Sequence, residues 1–394
     1  DSDRDIDDDV ISTLESGERD ESHAEPIVED EPVVHIPTVI SKLKGSVDIP
    51  EEFKFADSTT FYSMLRNIYR GKSVLVTGGA GFIGSNLVKR LVREGANVSV
   101  AVKYHSIIDC PRLCSVWNKI EVVEADLRNT DSVFSLQDRE FDTVFHLAGL
   151  TSVDLSHNQF ERFFEVNAWG TARVGQACRQ AGVPRIIYAS TSHVYGTSEV
   201  LPISENHPLQ PRSAYAASKV AGEAVMWGFA GNAKGSADIL RLANIYDARS
   251  TTDTVVGRML DAVALGKKSI RVRSFHPLRG FLLAEEAAEA FVRIAAQETN
   301  HGECGVLNIS GGETFSIGEV AKILARTAKE CGFGEFSLEE TEGLGCSTPD
   351  EIILDNRRLL ERLGWLPTTT LEAGLRRCLI ERVESEKEEV GISG

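Results

Sequence analysis

The sequence has few cysteines, and none of them belongs to a CxxC pair. Seven cysteines are scattered at irregular spacing over 394 residues, an odd number without an accompanying histidine cluster. This pattern argues against a disulfide framework and against a metal site, so we expect reduced, inert thiols. Long apolar runs are also missing, since none approaches the roughly 20 residues of a membrane span.

Positive charge is scarce as well. The formal net charge is −17, and Asp1–Pro32 alone contains 14 acidic residues and two arginines. No basic stripe is left to neutralise phosphates, which argues against a nucleic-acid partner. Residues 1–34 are nearly free of aromatics, so we predict an acidic disordered tail that acts as a solubilising leader or docks a basic partner.

The chain begins with Asp1 rather than Met. We therefore expect that an upstream segment has been removed, with any targeting peptide, and that the protein works in the cytoplasm or in an organelle interior. Apolar residues return in residues 35–70, where a helix is predicted over Ser58–Tyr69. This N-terminal extension is expected to pack on the core.

From Lys72 onward, short apolar runs alternate with helical periods, as is typical of parallel βαβ units in an α/β fold. We assign residues 71–245 to a dinucleotide-binding domain and 246–394 mainly to a substrate lobe, with some elements returning to the first domain. Strands are predicted over Ser73–Thr77, Asn97–Val102, Ile120–Glu124, Thr143–Leu147, Arg185–Ala189, Ile239–Ala243 and Val306–Ile309. Helices are predicted over Ile83–Glu94, Val256–Leu265, Glu285–Gln297 and Ile317–Cys331.

A glycine-rich turn, Thr77–Gly84, directly follows the first predicted strand and precedes a predicted helix. Gly78 permits a tight turn, Gly81 lets the backbone approach a pyrophosphate, and Gly84 allows the helix to pack closely on the strand. The helix N-terminus then offers free N–H donors to the anion. Strand, turn and helix together predict a dinucleotide site.

The end of the second strand bears on which dinucleotide is bound. An acidic side chain there would hold the adenosine ribose hydroxyls, but the strand ends in Val102-Lys103. Lys103 would pair with a 2′-phosphate and favour NADP, or it is an exposed loop lysine. The cofactor is therefore expected to be NAD or NADP.

A Tyr and a Lys four residues apart, Tyr215 and Lys219, lie on one face of a predicted helix. A neighbouring ammonium and a nicotinamide cation would favour the tyrosinate over the phenol, whose ordinary pKa is about 10. Tyr215 would then act as general base toward a substrate alcohol. Thr191, at the end of an upstream Ser/Thr-rich strand, would hydrogen bond the same oxygen.

Further motifs support this interpretation. They are Thr77–Gly84, Asp126–Leu127, His146–Gly149, Asn167 with Gly170–Thr171, Tyr188–Gly196, Tyr215–Lys219, Leu307–Gly312 and Leu363–Pro367. From about Gly71 to about Glu381 the chain resembles the extended short-chain dehydrogenase/reductases, in particular the nucleotide-sugar epimerases and dehydratases. The resemblance implies a Rossmann-type doubly wound parallel sheet with a smaller C-terminal α/β substrate lobe. The implied cofactor-binding residues are Gly78, Gly81, Phe82, Ile83, Gly84, Lys103, Asp126, Leu127, Leu147, Ala148, Gly149, Tyr215 and Lys219.

The resemblance also implies roles on the substrate side. Lys219 would hold the nicotinamide ribose, and a homodimer is expected through helices near Asn167–Cys178 and Tyr215–Trp227. Asn244 and Arg279 are the expected substrate-binding residues, Arg279 through a bidentate contact with a nucleotide diphosphate. Arg271 and Arg273 would assist Arg279, or they are surface charges on a strand, which is the interpretation we favour.

Departures from the family pattern concern the reaction and the substrate. Dehydratases have an Asp and a Glu, and decarboxylases a Glu, where this chain has Ser192 and His193. His193 would act as a proton carrier or make a structural hydrogen bond. Asp247 and Ala248 replace the Gly-Pro of the family's NxYGP segment, Gly280 replaces the Asp of its RDF segment, and Glu285-Glu286 replaces a VDD-type pair.

Three functions follow as hypotheses. The first is an NAD(P)-dependent nucleotide-sugar epimerase that oxidises the C4 hydroxyl, with Thr191, Tyr215 and Lys219 as catalytic residues and Ser192 and His193 as further candidates. The second is an NADP-dependent carbonyl reductase, or a nucleotide-sugar decarboxylase or dehydratase. The third is a non-catalytic, cofactor-binding structural subunit, which the altered substrate-side residues would favour.

Overall fold

The computed structural model describes residues 58–103, 111–231, 235–341 and 351–392. The predicted acidic tail, residues 1–34, and residues 35–57 of the predicted extension lie outside the described residues. The strands, in chain order, are β1 Ser73–Thr77, β2 Asn97–Val102, β3 Ile120–Glu124, β4 Thr143–His146, β5 Arg185–Thr191, β6 Ser236–Leu242, β7 Asn244–Tyr246, β8 Ser269–Val272, β9 Leu278–Leu283, β10 Cys304–Ile309, β11 Thr314–Ser316, β12 Ser337–Glu340 and β13 Glu351–Ile352.

Helices connect these strands on both sides. The α-helices are α1 Ser58–Tyr69, α2 Phe82–Arg93, α3 Thr130–Phe134, α4 Val153–Asn158, α5 Phe160–Phe163, α6 Gly170–Gln180, α7 Ala214–Ala230, α8 Val255–Ala264, α9 Ala284–Ala295, α10 Ile317–Glu330, α11 Arg357–Leu363 and α12 Leu371–Ile392. Short 3₁₀ helices cover Pro111–Lys119, Ser135–Asp138 and Ser192–Tyr195, and a π-helical turn covers Phe164–Trp169. Among the described helices, none combines the length and the apolar run that a membrane crossing requires.

A seven-stranded sheet in the order β10-β6-β5-β4-β1-β2-β3 forms the centre of the fold. Every neighbouring pair in it is parallel. Its strands are rich in Val, Ile and Leu and largely buried, as expected when helices cover both faces. This confirms the predicted doubly wound α/β fold. The strand order reverses between β1 and β4, which is where such sheets bind ligands.

The helices divide between the two faces. On one face α2 and α9 pack together, with Leu87 and Phe291 fully buried. On the other, α6 and α7 supply Val174 and Met226, also fully buried. α1 lies on the first face, where its Tyr69 donates a hydrogen bond of 2.7 Å to the Val292 carbonyl.

The C-terminal part of the chain builds a smaller lobe around β9. β9 pairs with β7, β11 and β13, while β8 and β12 form a separate parallel pair. α8, α10 and α12 enclose the core of this lobe, with Leu260, Leu324 and Leu379 fully buried. β10 instead extends the large sheet beside β6. The exact division at residue 245 stays a prediction.

Candidate active site

A cleft of about 970 Å³ lies at the carboxyl ends of the parallel strands, and residues of the smaller lobe also line it. It brings together every predicted site residue except Ser192, which is buried and does not line the cleft. Those residues are Gly78, Gly81, Phe82, Ile83, Gly84, Lys103, Asp126, Leu127, Leu147, Ala148, Gly149, Thr191, His193, Tyr215, Lys219, Asn244 and Arg279.

The glycine-rich turn leaves no room for side chains at two positions. Gly78 has a φ of +70°, and a Cβ there would lie 2.7 Å from the Ala148 nitrogen. A Cβ on Gly84 would lie 2.2 Å from the Gly78 carbonyl oxygen. Gly81 caps the N-terminus of α2 without a side chain, so the first-turn N–H groups face the cleft unobstructed. This cradle fits a pyrophosphate.

The loop after β4 is fixed from below by a buried histidine. His146 is fully buried, and its ring nitrogens lie 2.7 Å from the Thr77 hydroxyl and 2.9 Å from the Thr171 hydroxyl. Thr171 donates to the Asn167 carbonyl, so it accepts from Nε2–H, and Nδ1 accepts from Thr77. Burial lowers the pKa of His146 to about 3, which keeps the ring neutral. The Thr77 hydroxyl in turn accepts from the Ala148 amide at 3.2 Å and positions the loop that lines the cleft.

Tyr215 and Lys219 stand on the first turns of α7, as predicted, and face the end of β5. The helix begins there because the Ser213 side chain accepts a hydrogen bond from the Ala216 amide. Tyr215 hydrogen bonds with Thr191, the last residue of β5. The Lys219 ammonium donates to the Ala189 carbonyl at 2.8 Å and lies 4.7 Å above the Tyr188 ring.

Burial is the main cause of the pKa shifts of Tyr215 and Lys219. It raises the pKa of Tyr215, while the hydrogen bond with Thr191 acts in the opposite direction. The expectation from the sequence concerns the site with a nicotinamide cation bound, so the favoured tyrosinate stays a prediction. Burial also lowers the pKa of Lys219 to about 8, opposed by the negative charge of Glu223.

Glu223 belongs to a buried ionic network behind the site, one helical turn beyond Lys219. Its carboxylate accepts from the Ser190 hydroxyl at 2.5 Å and from two Arg241 nitrogens at 3.0 and 2.7 Å. Arg241 also donates to the Tyr195 hydroxyl at 2.9 Å. The network fixes β5 against α7, and with it Thr191 against Tyr215.

A π-helical turn places Asn167 behind the loop that follows β4 and lines the cleft. It interrupts the helix that runs from Phe160 to Gln180. The Asn167 amide bonds both the amide and the carbonyl of Leu150, at 2.8 and 2.9 Å, and donates to the Ser218 hydroxyl at 3.0 Å. The turn therefore ties the loop after β4 to α7, a role that the sequence signals only by an asparagine before a Gly-Thr pair.

His193 lies beside Tyr215 and also lines the cleft. The ring centroids are 6.1 Å apart in an edge arrangement. Burial and the neighbouring Arg279 lower the pKa of His193 to about 4, so the ring is neutral at physiological pH. Neither Tyr215 nor His193 has a carboxylate close enough to contribute to its pKa among the described residues.

The adenosine end of the cleft is rich in cations. Lys103 directly follows β2, and Arg112 opens the 3₁₀ helix packed on α2. Asp126 forms an ion pair with Arg128 at 2.6 Å, and this contact with Arg128 lowers the pKa of Asp126 to about 2 despite some burial. Lys103 lies near enough to contribute to the same lowering.

The substrate end of the cleft contains one arginine that sequence reasoning missed, Arg258. Buried Arg279 lines it as predicted, and so does Arg258 of α8, which carries no recognisable motif. Arg273 also lines it and forms a bidentate ion pair with Asp154 at 2.7 and 2.8 Å. Arg273 therefore lines the cleft with a half-exposed side chain, and a role in ligand binding stays a prediction, whereas Arg271 pairs with Glu339 at 2.8 Å outside the cleft.

The departures from the family pattern serve packing in this structure. Asp247 accepts from the Arg249 amide at 2.7 Å and from Asn86 of α2 at 3.1 Å, and it does not line the cleft. A Cβ on Gly280 would lie 2.0 Å from the Ser310 hydroxyl, so a side chain at this position would require the Ser310 side chain to move. Glu286 accepts from the backbone amides of residues 368 and 369 at 2.6 and 2.9 Å. Among the residues that the structure describes, no group of acidic, His and Cys side chains is arranged to hold a metal ion.

Comparison with known proteins agrees with the family resemblance found in the sequence. The family model for GDP-mannose 4,6-dehydratase matches residues 75–378. A dTDP-D-glucose 4,6-dehydratase from Mus musculus is 31% identical over 318 residues, which cover 78% of this chain and 87% of that protein. A UDP-glucose 4-epimerase from Mycolicibacterium smegmatis is 32% identical over 310 residues, 76% of this chain and 95% of that protein.

Solved structures extend the match to the fold. UDP-glucose 4-epimerase from Thermotoga maritima, solved with UDP-glucose, has a TM-score of 0.69 and 25% identity over 79% of this chain and 99% of its own. MoeE5 in complex with UDP-glucuronic acid and NAD has a TM-score of 0.67 and 29% identity over 79% of this chain and 99% of its own. The chain belongs to the GDP-mannose 4,6-dehydratase family, and with it to the NAD-dependent epimerases and dehydratases of the extended short-chain dehydrogenase/reductases.

Proposed function

We propose that this chain is a nucleotide-sugar 4-epimerase that uses a tightly held nicotinamide dinucleotide. The observation that carries the proposal is the assembly of Thr191, Tyr215 and Lys219 at one point of the cleft. The arginines Arg258 and Arg279 line its other end, where they would bind the diphosphate of a nucleotide sugar. Relatives of both epimerase and dehydratase name support a sugar nucleotide as the substrate class.

The chain's own residues supply the proton chemistry. Tyr215 would take the C4 hydroxyl proton as the C4–H hydride leaves, and Thr191 would hold the oxygen by a hydrogen bond. A bound nicotinamide would accept the hydride and return it. The resulting 4-keto sugar would rotate, and Tyr215 would return the proton as the hydride is delivered to the other face. Lys219, beside the site, would stabilise the tyrosinate and hold the nicotinamide ribose.

The positions of the carboxylates in the cleft favour epimerisation over water elimination. Elimination requires an acid and a base beside Tyr215, where this chain has Ser192 and neutral His193. Among the described residues, the carboxylates that line the cleft are Asp126, Asp154 and Asp253. Asp126 and Asp154 are paired with arginines, and Asp253 lies in the loop before α8 on the substrate lobe.

The test is incubation of the purified protein with UDP-, dTDP- and GDP-hexoses, followed by mass spectrometry and chromatography of the sugars. An epimerase interconverts isomers of equal mass, whereas a dehydratase product lacks one water. Tyr215→Phe should abolish turnover while leaving dinucleotide binding intact. Tyr69→Phe, which removes a buried hydroxyl outside the cleft, is the control. Full activity of Tyr215→Phe would refute the mechanism.

The two other functions differ in measurable ways. A net carbonyl reductase would consume added NADPH stoichiometrically with a carbonyl substrate, which an epimerase would not. A structural subunit would bind dinucleotide without any turnover. The latter is not favoured, because Asp247 and Gly280 lie outside the cleft and leave its lining intact.

We also propose a homodimer formed through α6 and α7, the helices expected from the sequence. Apolar residues occur on every face of α7, and Trp227 is 52% exposed. Trp169, at the start of α6, is 66% exposed. Helices that are apolar on all faces are usually buried, so a second copy is the expected cover. Trp169→Asp combined with Trp227→Asp should give monomers in sedimentation experiments, and an unchanged dimer would exclude this interface.

A further inference from the structure

A tyrosine behind the cleft supports the Lys219 ammonium. Tyr188, in β5, is fully buried and does not line the cleft, whereas Lys219 and Ala189 both do. The Lys219 ammonium lies 4.7 Å from the centroid of the Tyr188 ring, inside the limit of about 6 Å for a cation–π contact. Among the described residues, the Ala189 carbonyl is the one hydrogen-bond acceptor of this ammonium, which has three donors. The ring and the carbonyl together hold it against β5.

The Tyr188 ring is itself held firmly. Side chains alternate along a strand, so Tyr188 and Ser190 face the same side of β5, where Ser190 donates to Glu223 of α7 at 2.5 Å. The ring stacks on that of His146, with centroids 5.6 Å apart and planes at 30°. A Cβ on Gly222 would lie 2.1 Å from the Tyr188 hydroxyl oxygen, so glycine at this position lets α7 close onto the ring.

Few charges face the ammonium from the surrounding elements. Glu223 of α7 favours the protonated amine, but its carboxylate is shared with Arg241. His146 of β4 is neutral, because burial lowers its pKa to about 3, and burial raises the pKa of Tyr215, which keeps that phenol neutral. Burial lowers the pKa of Lys219 to about 8. The electron-rich ring face is therefore a contact that the protonated amine has and the neutral amine loses.

We propose that Tyr188 is a positioning residue that acts through Lys219: its ring keeps the ammonium charged and in place behind the nicotinamide end of the cleft. The inference rests on the proposed function, in which Lys219 stabilises the tyrosinate and holds the nicotinamide ribose. Ordinary packing of the ring does not depend on pH, whereas a cation–π contact exists only while the amine carries its proton. The contact should stabilise the folded state below the pKa of Lys219, about 8, and disappear as pH rises above it.

The experiment compares Tyr188→Leu with Tyr188→Phe in the purified full chain. Both variants lack the phenol, so titration of the tyrosine cancels, and only Tyr188→Phe keeps the ring. Urea denaturation without dinucleotide at pH 6.5 and pH 9.5 gives the two unfolding constants. The ratio of the Tyr188→Leu constant to the Tyr188→Phe constant should fall about 4-fold as pH rises. With Lys219→Met added to both proteins, the ratio should not change with pH.

A matched pair of variants lies outside the cleft. The Arg90 guanidinium lies 4.8 Å from the centroid of the Tyr62 ring, and a guanidinium keeps its charge at both pH values. The ratio of unfolding constants for Tyr62→Leu and Tyr62→Phe should therefore be the same at pH 6.5 and pH 9.5. If Tyr188→Leu does not fold, Tyr188→Met takes its place, since methionine is flexible and fills irregular spaces.

The pH profile of turnover tests the role in the reaction. The alkaline limb of kcat should lie about 0.5–1 pH unit lower in Tyr188→Leu than in Tyr188→Phe, because Lys219 loses its proton more easily without the ring. Alkaline limbs at the same pH would overturn the positioning role and leave an epimerase intact.

The stability measurements decide the contact itself, without any substrate. A ratio that does not fall between pH 6.5 and pH 9.5, or that falls equally in the Lys219→Met background, would overturn the contact. Absence of epimerisation by the unaltered protein would overturn the proposed function and the role of Tyr188 in it. A pH-dependent ratio that requires Lys219, together with the displaced alkaline limb, would establish the inference.

Discussion

Replacing Lys219 by Met should abolish turnover and yet stabilise the protein at neutral pH. Lys219 is 4% exposed, and burial lowers its pKa from the ordinary 10.5 to about 8. The folded state is therefore penalised, relative to the unfolded chain, whenever the amine must carry its proton. Methionine has a similar length and no charge to desolvate.

The magnitude follows from the pKa and from the contacts that are lost. Lowering the pKa of Lys219 from 10.5 to about 8 corresponds to about 3 kcal/mol of destabilisation of the folded state at pH 7. The variant also loses a hydrogen bond to the Ala189 carbonyl, about 1 kcal/mol, and a cation–π contact with Tyr188 of about 1 kcal/mol. We therefore expect Lys219→Met to be about 1 kcal/mol more stable than the unaltered protein at pH 7.

The pH dependence has a definite sign. Below pH 8 the amine is protonated in both states, so the penalty is fully present, and above pH 10.5 it is neutral in both, so the penalty is absent. The unaltered protein should thus gain stability relative to Lys219→Met as pH rises from 8 to 10.5. About 2 kcal/mol of this gain should be visible at pH 10.

Urea denaturation of both proteins without added dinucleotide, at pH 7 and pH 10, measures the difference directly. Lys267→Met, at an exposed lysine outside the cleft, reports the general effect of the substitution. If the stability difference between the unaltered protein and Lys219→Met does not change with pH, burial does not control the pKa of Lys219. Retained turnover in Lys219→Met would contradict its place in the mechanism.

Two further substitutions test the backbone of the site. Gly84→Ala would place a Cβ 2.2 Å from the Gly78 carbonyl oxygen. Dinucleotide affinity, measured by calorimetry, should therefore fall by about 100-fold or more. Unchanged affinity would contradict the packing role of Gly84. Gly280→Asp restores the family residue but would place its Cβ 2.0 Å from the Ser310 hydroxyl. Gly280→Asp should lower the free energy of unfolding by about 1–3 kcal/mol. A variant that is instead more stable and more active would show that Gly280 impairs the function of the smaller lobe.

The sequence predicts the dinucleotide half of the site well because its signals are local. A strand, a turn and a helix contiguous in the chain determine the positions of Gly78 and Gly84, and a four-residue spacing determines that of Tyr215 and Lys219. β5 extends to Thr191, beyond the predicted end at Ala189, because its pairing with β6 continues to Leu242. Predicted bounds of the other elements differ by a few residues at their ends, where helices and strands lose their hydrogen-bond partners.

The substrate half could not be predicted to the same depth, since its contacts join distant parts of the chain. Asp154 and Arg273 are separated by 119 residues, and neither belongs to a motif. The pKa direction of Tyr215 was also beyond the sequence, because it depends on how deeply the phenol is buried and on its hydrogen bond with Thr191. A spacing of four places two side chains on one face of a helix, but it does not decide what else they touch.

Motif departures indicate lost function only if the altered residue faces the ligand. Asp247 bonds α2 and its own turn, and Gly280 is pressed against Ser310, so both changes are accommodated by neighbours outside the cleft. Lys103 is the opposite case, because it lines the cleft directly after the end of β2. The same kind of departure therefore means altered packing at the first two positions, whereas at Lys103 we expect it to bear on the choice of dinucleotide. A variant series at Lys103 should change dinucleotide choice, whereas one at Asp247 should change stability alone.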